Sequence, residues 1–221
     1  MPTPPNIAPL VIAIDGPAAA GKGTLARRLA AHYGLPYLDT GLLYRAVARR
    51  VLDAGGSPAD AEAAALAART LHPNDTRRTD LRGPPVDEAA SLVASVPAVR
   101  AALLDFQRSF ASASGAVLDG RDIGTVIFPQ ASAKLFVTAS PEERGRRRWA
   151  ELRARGVAAD QAAITAEIYA RDAADRARAA APLKPADDAL LLDTTTLDAD
   201  AAFALALTLI AEKLVCQGLT S

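Results

Sequence analysis

The sequence predicts an α/β protein in three layers, a five-stranded, mainly parallel sheet covered by helices on both faces. Three observations predict it. Five short apolar runs lack the alternation of a half-exposed strand. The segments between them carry apolar residues three and four apart, the spacing of amphipathic helices. A glycine-rich loop joins the first run to the first helix, as a βαβ unit begins.

Leu10-Val-Ile-Ala-Ile14 is the first strand, ending at Asp15-Gly16. Thr24 to Tyr33 is the first helix, with Leu25, Ala26, Leu29 and Ala30 on one face and Gly34 as its stop. Pro36-Tyr37-Leu38 is a second strand leading into Asp39-Thr40-Gly41, after which Leu42 to Ala54 is helical up to Gly55-Gly56. Pro58 to Leu71 forms a third helix with its proline in the first turn. His72 to Pro85, rich in Pro, Asp, Thr, Arg and Gly, reads as an irregular connector. From Val86 on, Ala90, Val93, Val96, Val99, Leu103, Phe106 and Phe110 keep helical spacing. Pro97 divides that stretch in two, because an interior proline loses a hydrogen bond and clashes with the preceding turn. Gly115 to Leu118 and Ala133 to Val137 are the third and fourth strands. Helices follow over Pro141 to Arg155 and Gln161 to Ala180, then a fifth strand over Ala189 to Leu192 and a closing helix over Asp198 to Val215.

Composition narrows the function. Of 221 residues, half are apolar and 23% charged, which excludes disordered, collagenous and disulfide-scaffold classes and leaves room for one compact domain with an insertion. No stretch reaches the roughly 20 apolar residues of a membrane span; the longest, 7–14 and 201–211, are too short. Met1-Pro2-Thr3-Pro4-Pro5 has no basic residue ahead of an apolar run, so no signal peptide is expected. A single cysteine, Cys216, forms no intrachain disulfide, and a cytoplasmic protein is expected. Twenty-five basic and twenty-five acidic side chains cancel, against a protein that binds nucleic acid by broad phosphate neutralisation. The basic residues are almost all arginine, with only Lys22, Lys134, Lys184 and Lys213 as lysines. That excess reads either as codon bias, raising Ala and Arg together, or as bidentate recognition of phosphates and carboxylates.

One lysine sits inside a motif. Gly16-Pro17-Ala18-Ala19-Ala20-Gly21-Lys22-Gly23-Thr24 fits the phosphate-binding loop G-x-x-x-x-G-K, with Gly23 where Ser or Thr usually follows the lysine. In such a loop, inward N–H groups and the helix N-terminus cradle the phosphates, and Lys22 adds a full charge to the β- and γ-phosphates. The nearest hydroxyl is then Thr24, so magnesium would be held through water and phosphate oxygens. The motif predicts a bound nucleoside triphosphate but not the reaction.

The reaction is suggested by a resemblance. G-K-G-T is similar to the loop of nucleoside monophosphate kinases. Leu38-Asp39-Thr40-Gly41-Leu-Leu-Tyr44-Arg45, Ala89-Ala90-Ser91-Leu-Val-Ala94 with Pro97-Ala-Val-Arg100, Asp119-Gly120-Arg121-Asp122-Ile-Gly124-Thr125-Val-Ile-Phe-Pro129 and Ala181-Pro182-Leu183 all resemble bacterial cytidylate kinases, over about Val11 to Leu192. The resemblance implies ATP-dependent phosphorylation of CMP and dCMP with Mg2+, on a P-loop NTPase fold whose single domain spans 1–221. Its core would cover about 8–54, 113–145 and 186–217, with a monophosphate-binding insertion at about 55–112 and a mobile lid at about 146–170. Lys22, Arg121 and Arg178 become the catalytic residues. Arg45 and Arg121 would hold the acceptor phosphate with Thr40 nearby; Ser91, Arg100 and Asp122 would read cytosine; Arg171 and Asp175 would meet the ribose, with Arg178 by the phosphates. No protein ligand to the metal is assigned, and a monomer is expected, with no nucleic-acid or membrane partner. The 72–85 stretch is shorter than the family's strand-containing insert, which counts against strands there.

Physical chemistry alone leaves alternatives. Arg100 also fits a residue laying its stem along an apolar face. Glu167, Arg171, Asp175 and Arg178 fall along one helix face, like a solvated ladder of ion pairs. Asp119 fits a strand-end carboxylate near magnesium or a turn cap. Of the arginines Arg144, Arg146, Arg147, Arg148, Arg153 and Arg155 around Gly156, Arg148, Arg153 or Arg155 would help close a water-excluding lid, or the group is a basic surface helix paired with Glu142, Glu143 and Glu151. Other small-acceptor kinases and a non-catalytic nucleotide switch remain the rival functions.

Overall fold

The computed structural model describes residues 9–218; residues 1–8, including the Met1–Pro5 stretch and the start of the 7–14 run, and residues 219–221 lie outside the described residues. Strands β1 (Val11–Asp15), β2 (Tyr37–Asp39), β3 (Ala116–Gly120), β4 (Ala133–Thr138) and β5 (Leu190–Asp193) form one sheet in the order β2-β3-β1-β4-β5. All four pairings are parallel. The first strand is therefore central, and every one of its residues is buried.

Alternate residues of β1 feed different cores. Ile12 and Ile14 pack with α1 (Lys22–Tyr33) and α8 (Ala199–Cys216), through Leu25, Leu29, Ala206, Ile210 and Leu214. Val11 and Ala13 face the other layer, with Leu118, Ile123, Ile127 and Ala111 of α5 (Pro97–Ala111). A strand buried on both sides has no polar face to alternate with, which is why the predicted runs were continuous.

Between β2 and β3 the chain builds a helical insertion with its own core: α2 (Thr40–Asp53), α3 (Ala61–Arg69), α4 (Pro84–Ser95) and α5, packed through Leu43, Val47, Val51, Ala64, Val93, Val99 and Leu103. No strand occurs there among the described residues. Pro97 is at the start of α5, and α4 and α5 meet at 93°. Among the described residues no single helix is long and apolar enough to cross a membrane, and although this bent pair passes by length and composition, it buries Val93, Val96, Val99 and Leu103 in the insertion.

Several boundaries move. The third helix is shorter than 58–71, because Asp60 caps it at Ala61 by accepting from the N–H groups of Glu62 and Ala63. The 72–85 connector is not wholly irregular: Pro73–Arg77 is a 3-10 turn capped by His72, and Pro84 already opens α4. Helix α7 (Gln161–Ala177) stops three residues before Ala180, and α1 and α2 each begin two residues early. Helix α6 (Pro141–Ala154) matches its prediction to within one residue.

Candidate active site

The carboxyl ends of β1, β2 and β3 point at one cleft, the position where open parallel sheets bind ligands. At its floor, β1 turns through Gly16–Gly21 into α1. Gly16 has φ 147°, and a Cβ there would lie 1.9 Å from the Val137 carbonyl oxygen, so only glycine passes. Gly21 (φ 85°) and Ala19 (φ 58°) bend the loop further. No side chain caps α1, so its first N–H groups are left for an anion. Lys22 is buried and donates to the Pro17 carbonyl at 2.7 Å, folding its ammonium back over the loop. Burial and the nearby Arg121 charge push this amine below the usual lysine range, while Asp119, Asp15 and Asp39 pull the other way.

Beside Lys22, Asp39 at the end of β2 pairs in register with Asp119, the last residue but one of β3. Tyr37 donates to Asp119 Oδ1 at 3.0 Å, and Thr40 donates to the Asp119 carbonyl at 2.7 Å. The Thr40 hydroxyl thus fixes the end of β3. Burial and the Asp39 charge push the Asp119 carboxyl upward. Asp119 caps no helix; it faces the space above Gly23, 3.6 Å from where a Cβ would stand. Thr24, by contrast, is exposed. Two carboxylates held together against their mutual repulsion, above a glycine that leaves room, suit a hard divalent cation.

Across the cleft lies a cage of arginines drawn from four elements. Arg45 of α2 donates to Asp87 Oδ1 from Nε (3.0 Å) and Nη2 (2.6 Å). Arg121, just after β3, donates to Asp175 Oδ2 at 2.9 Å, and Arg178 donates to the other oxygen at 3.0 Å. Arg100 of α5 donates to Asp122 and, at 3.2 Å, to the Ala94 carbonyl, so its buried head is not a snorkelling one. Ser91 lies one helical turn beyond Asp87 on α4, half-buried. Arg171 turns inward with its Nε buried and without a partner, while Glu167 on the same helix stays exposed. The ladder reading therefore fails for Arg171. Burial and Arg121 bring Arg171 down to about 10, against Asp175 and Asp87. For Asp175, burial alone would raise the carboxyl, but Arg121, Arg178 and Arg171 outweigh it and hold it low. Burial likewise lowers Arg178, which feels Asp175, Arg100 and Asp122 and so joins the two halves of the cage.

Of Arg148, Arg153 and Arg155, only Arg148 reaches the cage, 3.4 Å from Asp87, while also pairing with Glu151. Arg153 covers the Trp149 ring and Arg155 pairs with Glu151. The residue sequence reasoning missed is Arg144, fully buried, donating to both oxygens of Asp172 (3.1 and 2.5 Å) and to the Ala18 carbonyl at 3.1 Å. It ties the phosphate loop to α7, and only burial, invisible to spacing, separates it from its neighbours. Tyr44 was also passed over: its buried hydroxyl lacks a partner beneath Arg100.

A central-strand glycine loop facing arginines from the helical insertion, the end of β3 and α7 is the arrangement of a P-loop protein with a second face suited to an anion. The cytidylate kinase family profile matches residues 12–212, and the chain belongs to that family. A cytidylate kinase from Granulibacter bethesdensis is 67% identical over 194 residues, 88% of this chain and 93% of that protein. One from Acidiphilium cryptum is 64% identical over 95% of this chain and 99% of its own. A crystal structure of an uncharacterised protein from Eubacterium ventriosum shares the fold, with TM-score 0.54 and 16% identity over 92% of this chain and 98% of that one.

Proposed function

We propose that the protein transfers the terminal phosphoryl group of ATP to CMP and dCMP, giving ADP and CDP or dCDP. The reading rests on one observation: the phosphate loop leaves β1 after Asp15 and Arg121 leaves β3 after Gly120, paired positions of neighbouring strands, so the loop that carries Lys22 and the arginine cage open side by side. Phosphoryl transfer asks a protein mainly to align two polyanions and neutralise the charge between them.

On the donor side, the N–H groups of residues 16–24 hold the triphosphate, and Lys22 follows the charge onto the leaving oxygens. Asp39 and Asp119 would hold Mg2+, through water or directly; when bound, the ion neutralises phosphate oxygens. On the acceptor side, five guanidiniums, Arg45, Arg100, Arg121, Arg171 and Arg178, face three carboxylates, Asp87, Asp122 and Asp175. With Arg148 also 3.4 Å from Asp87, the guanidiniums outnumber the carboxylates and leave net positive charge for a phosphate monoester dianion. Arg45 and Arg121 take the phosphate; Arg171, expected at the ribose with Asp175, is given to the phosphate instead because its buried Nε has no partner, which leaves Asp175 the ribose and Arg178 beside the phosphates.

The Arg100–Asp122 pair sets base choice. The Asp122 carboxylate accepts from an exocyclic amine while the Arg100 guanidinium beside it donates to the adjacent ring nitrogen and carbonyl, the pattern of cytosine. Uracil reverses both and leaves buried polar groups unpaired, the strong way to reject an analogue. Ser91 adds a hydroxyl on the same side. In this reading, 55–112 together with α2 is the acceptor-binding unit, since α2 shares its core and carries Arg45, and 146–170 is a lid that excludes water through Arg148. The same reading makes it a cytoplasmic monomer of pyrimidine nucleotide metabolism, Cys216 being a free thiol.

A coupled ADP-release assay against CMP, dCMP, UMP, AMP and shikimate tests this. Turnover with CMP and dCMP well above the rest is expected; preference for UMP would overturn the roles of Arg100 and Asp122.

A further inference from the structure

Asp15, the last residue of β1, is a buried carboxylate whose only hydrogen bonds among the described residues run to backbone N–H groups of another segment and to no side chain of the site. It accepts from the Ile123 N–H at Oδ1 and from the Gly124 N–H at Oδ2, both at 2.7 Å. These two N–H groups open the π-helical turn Ile123–Ile127. The first N–H groups of a helical turn have no partner within it and are ordinarily met by the side chain at the cap position, for which aspartate is among the best residues. Here the cap position is Asp122, and its side chain makes no such bond; it faces Arg100 instead. Burial and the negative charge of Asp122 push the Asp15 carboxyl up to about 6, against the pull of the two N–H groups and Lys22. Holding a second carboxylate there is costly unless it does something Asp122 then need not do.

We propose that Asp15 is a positioning residue for base recognition: it caps the 123–127 turn from the neighbouring strand, which frees Asp122 to present its carboxylate beside Arg100. Since Gly16 follows Asp15 and Asp122 precedes Ile123, the same two bonds set the base reader at a fixed offset from the phosphate loop. The inference rests on the reading of Arg100 and Asp122 as the cytosine-reading pair. Without Asp15 the orphaned N–H groups recruit the nearest carboxylate, Asp122, which swings off Arg100.

The test compares parent, Asp15→Ala, Asp122→Ala and the double variant for CMP and UMP, with melting curves to confirm folding. In Asp15→Ala the ratio of kcat/KM for CMP over UMP should fall about tenfold or more, with KM for ATP within about twofold of the parent; in the double variant, losing Asp15 should add little to the loss from Asp122→Ala, as expected for residues acting through one another. If Asp15→Ala does not fold, Gly124→Ala takes its place. Its Cβ would lie 3.3 Å from Asp15 Oδ2 and 3.1 Å from Lys134 Cδ, loosening the same contact, and the same ratio should fall. An unchanged ratio in a folded variant, or a parallel rise in KM for CMP and ATP, would overturn the inference. A parent that does not phosphorylate CMP would instead overturn the functional reading, and this inference with it.

Discussion

The two sides of the cleft are built from different materials. The donor side is backbone: a loop shaped by Gly16, Ala19 and Gly21, anchored between central strands, with Lys22 its one ionised side chain. The acceptor side is side chains, five arginines and three aspartates drawn from residues as far apart as Arg45 and Arg178. Backbone amides carry no side-chain identity, so the loop grips phosphates and does not by itself choose a base. Side chains carry identity, so specificity resides across the cleft. The acceptor arginines are also kept ordered by the aspartates, with Arg171 Nε left unpaired for an incoming anion.

If that division holds, replacing Lys22 should strike chemistry and leave acceptor binding alone. Lys22→Ala is expected to lower kcat by about a thousandfold, the scale of losing one preorganised donor to transition-state charge. The Kd for CMP by calorimetry should stay within about threefold of the parent. A matching loss of CMP affinity would blur the division.

The buried link between the two sides comes next. Asp172→Ala leaves Arg144 buried without its carboxylate, which typically costs about 3–5 kcal/mol and is read as a lowered melting temperature. Smaller again is the base reader: Asp122→Ala should reduce the CMP over UMP ratio about a hundredfold while KM for ATP barely moves.

The smallest effect is a proton. Burial holds the Lys22 amine below its usual range in the free site, so part of the population is neutral at alkaline pH. Triphosphate favours the charged form and raises it again, so nucleotide binding should take up a fraction of a proton, growing from pH 6 to pH 9. Titration calorimetry in two buffers of different ionisation enthalpy reads this uptake, which should vanish in Lys22→Ala.

The same contrast explains what was legible in the sequence. The sheet, the phosphate loop and nearly every helix could be read because each is a local pattern: continuous apolar strands, three-and-four spacing, Pro97 as a breaker, Gly16 to Lys22 as a spacing. The cage is not local. Arg171 looked like a rung of a surface ladder until its burial was known, and Arg144 was indistinguishable from Arg146 and Arg147 beside it. Asp15 read as a strand end, because nothing nearby in the chain shows that the turn it caps lies more than a hundred residues away. Only resemblance assembled the acceptor residues before the fold did.

The most direct test is a crystal structure with a bisubstrate analogue, adenosine and cytidine joined through their phosphates. The account predicts the adenosine-side phosphates on the N–H groups of residues 16–24, the cytosine amine on Asp122 and the linking phosphates between Lys22 and Arg121. A cytosine bound away from Arg100 and Asp122, or phosphates that bypass the loop, would contradict it.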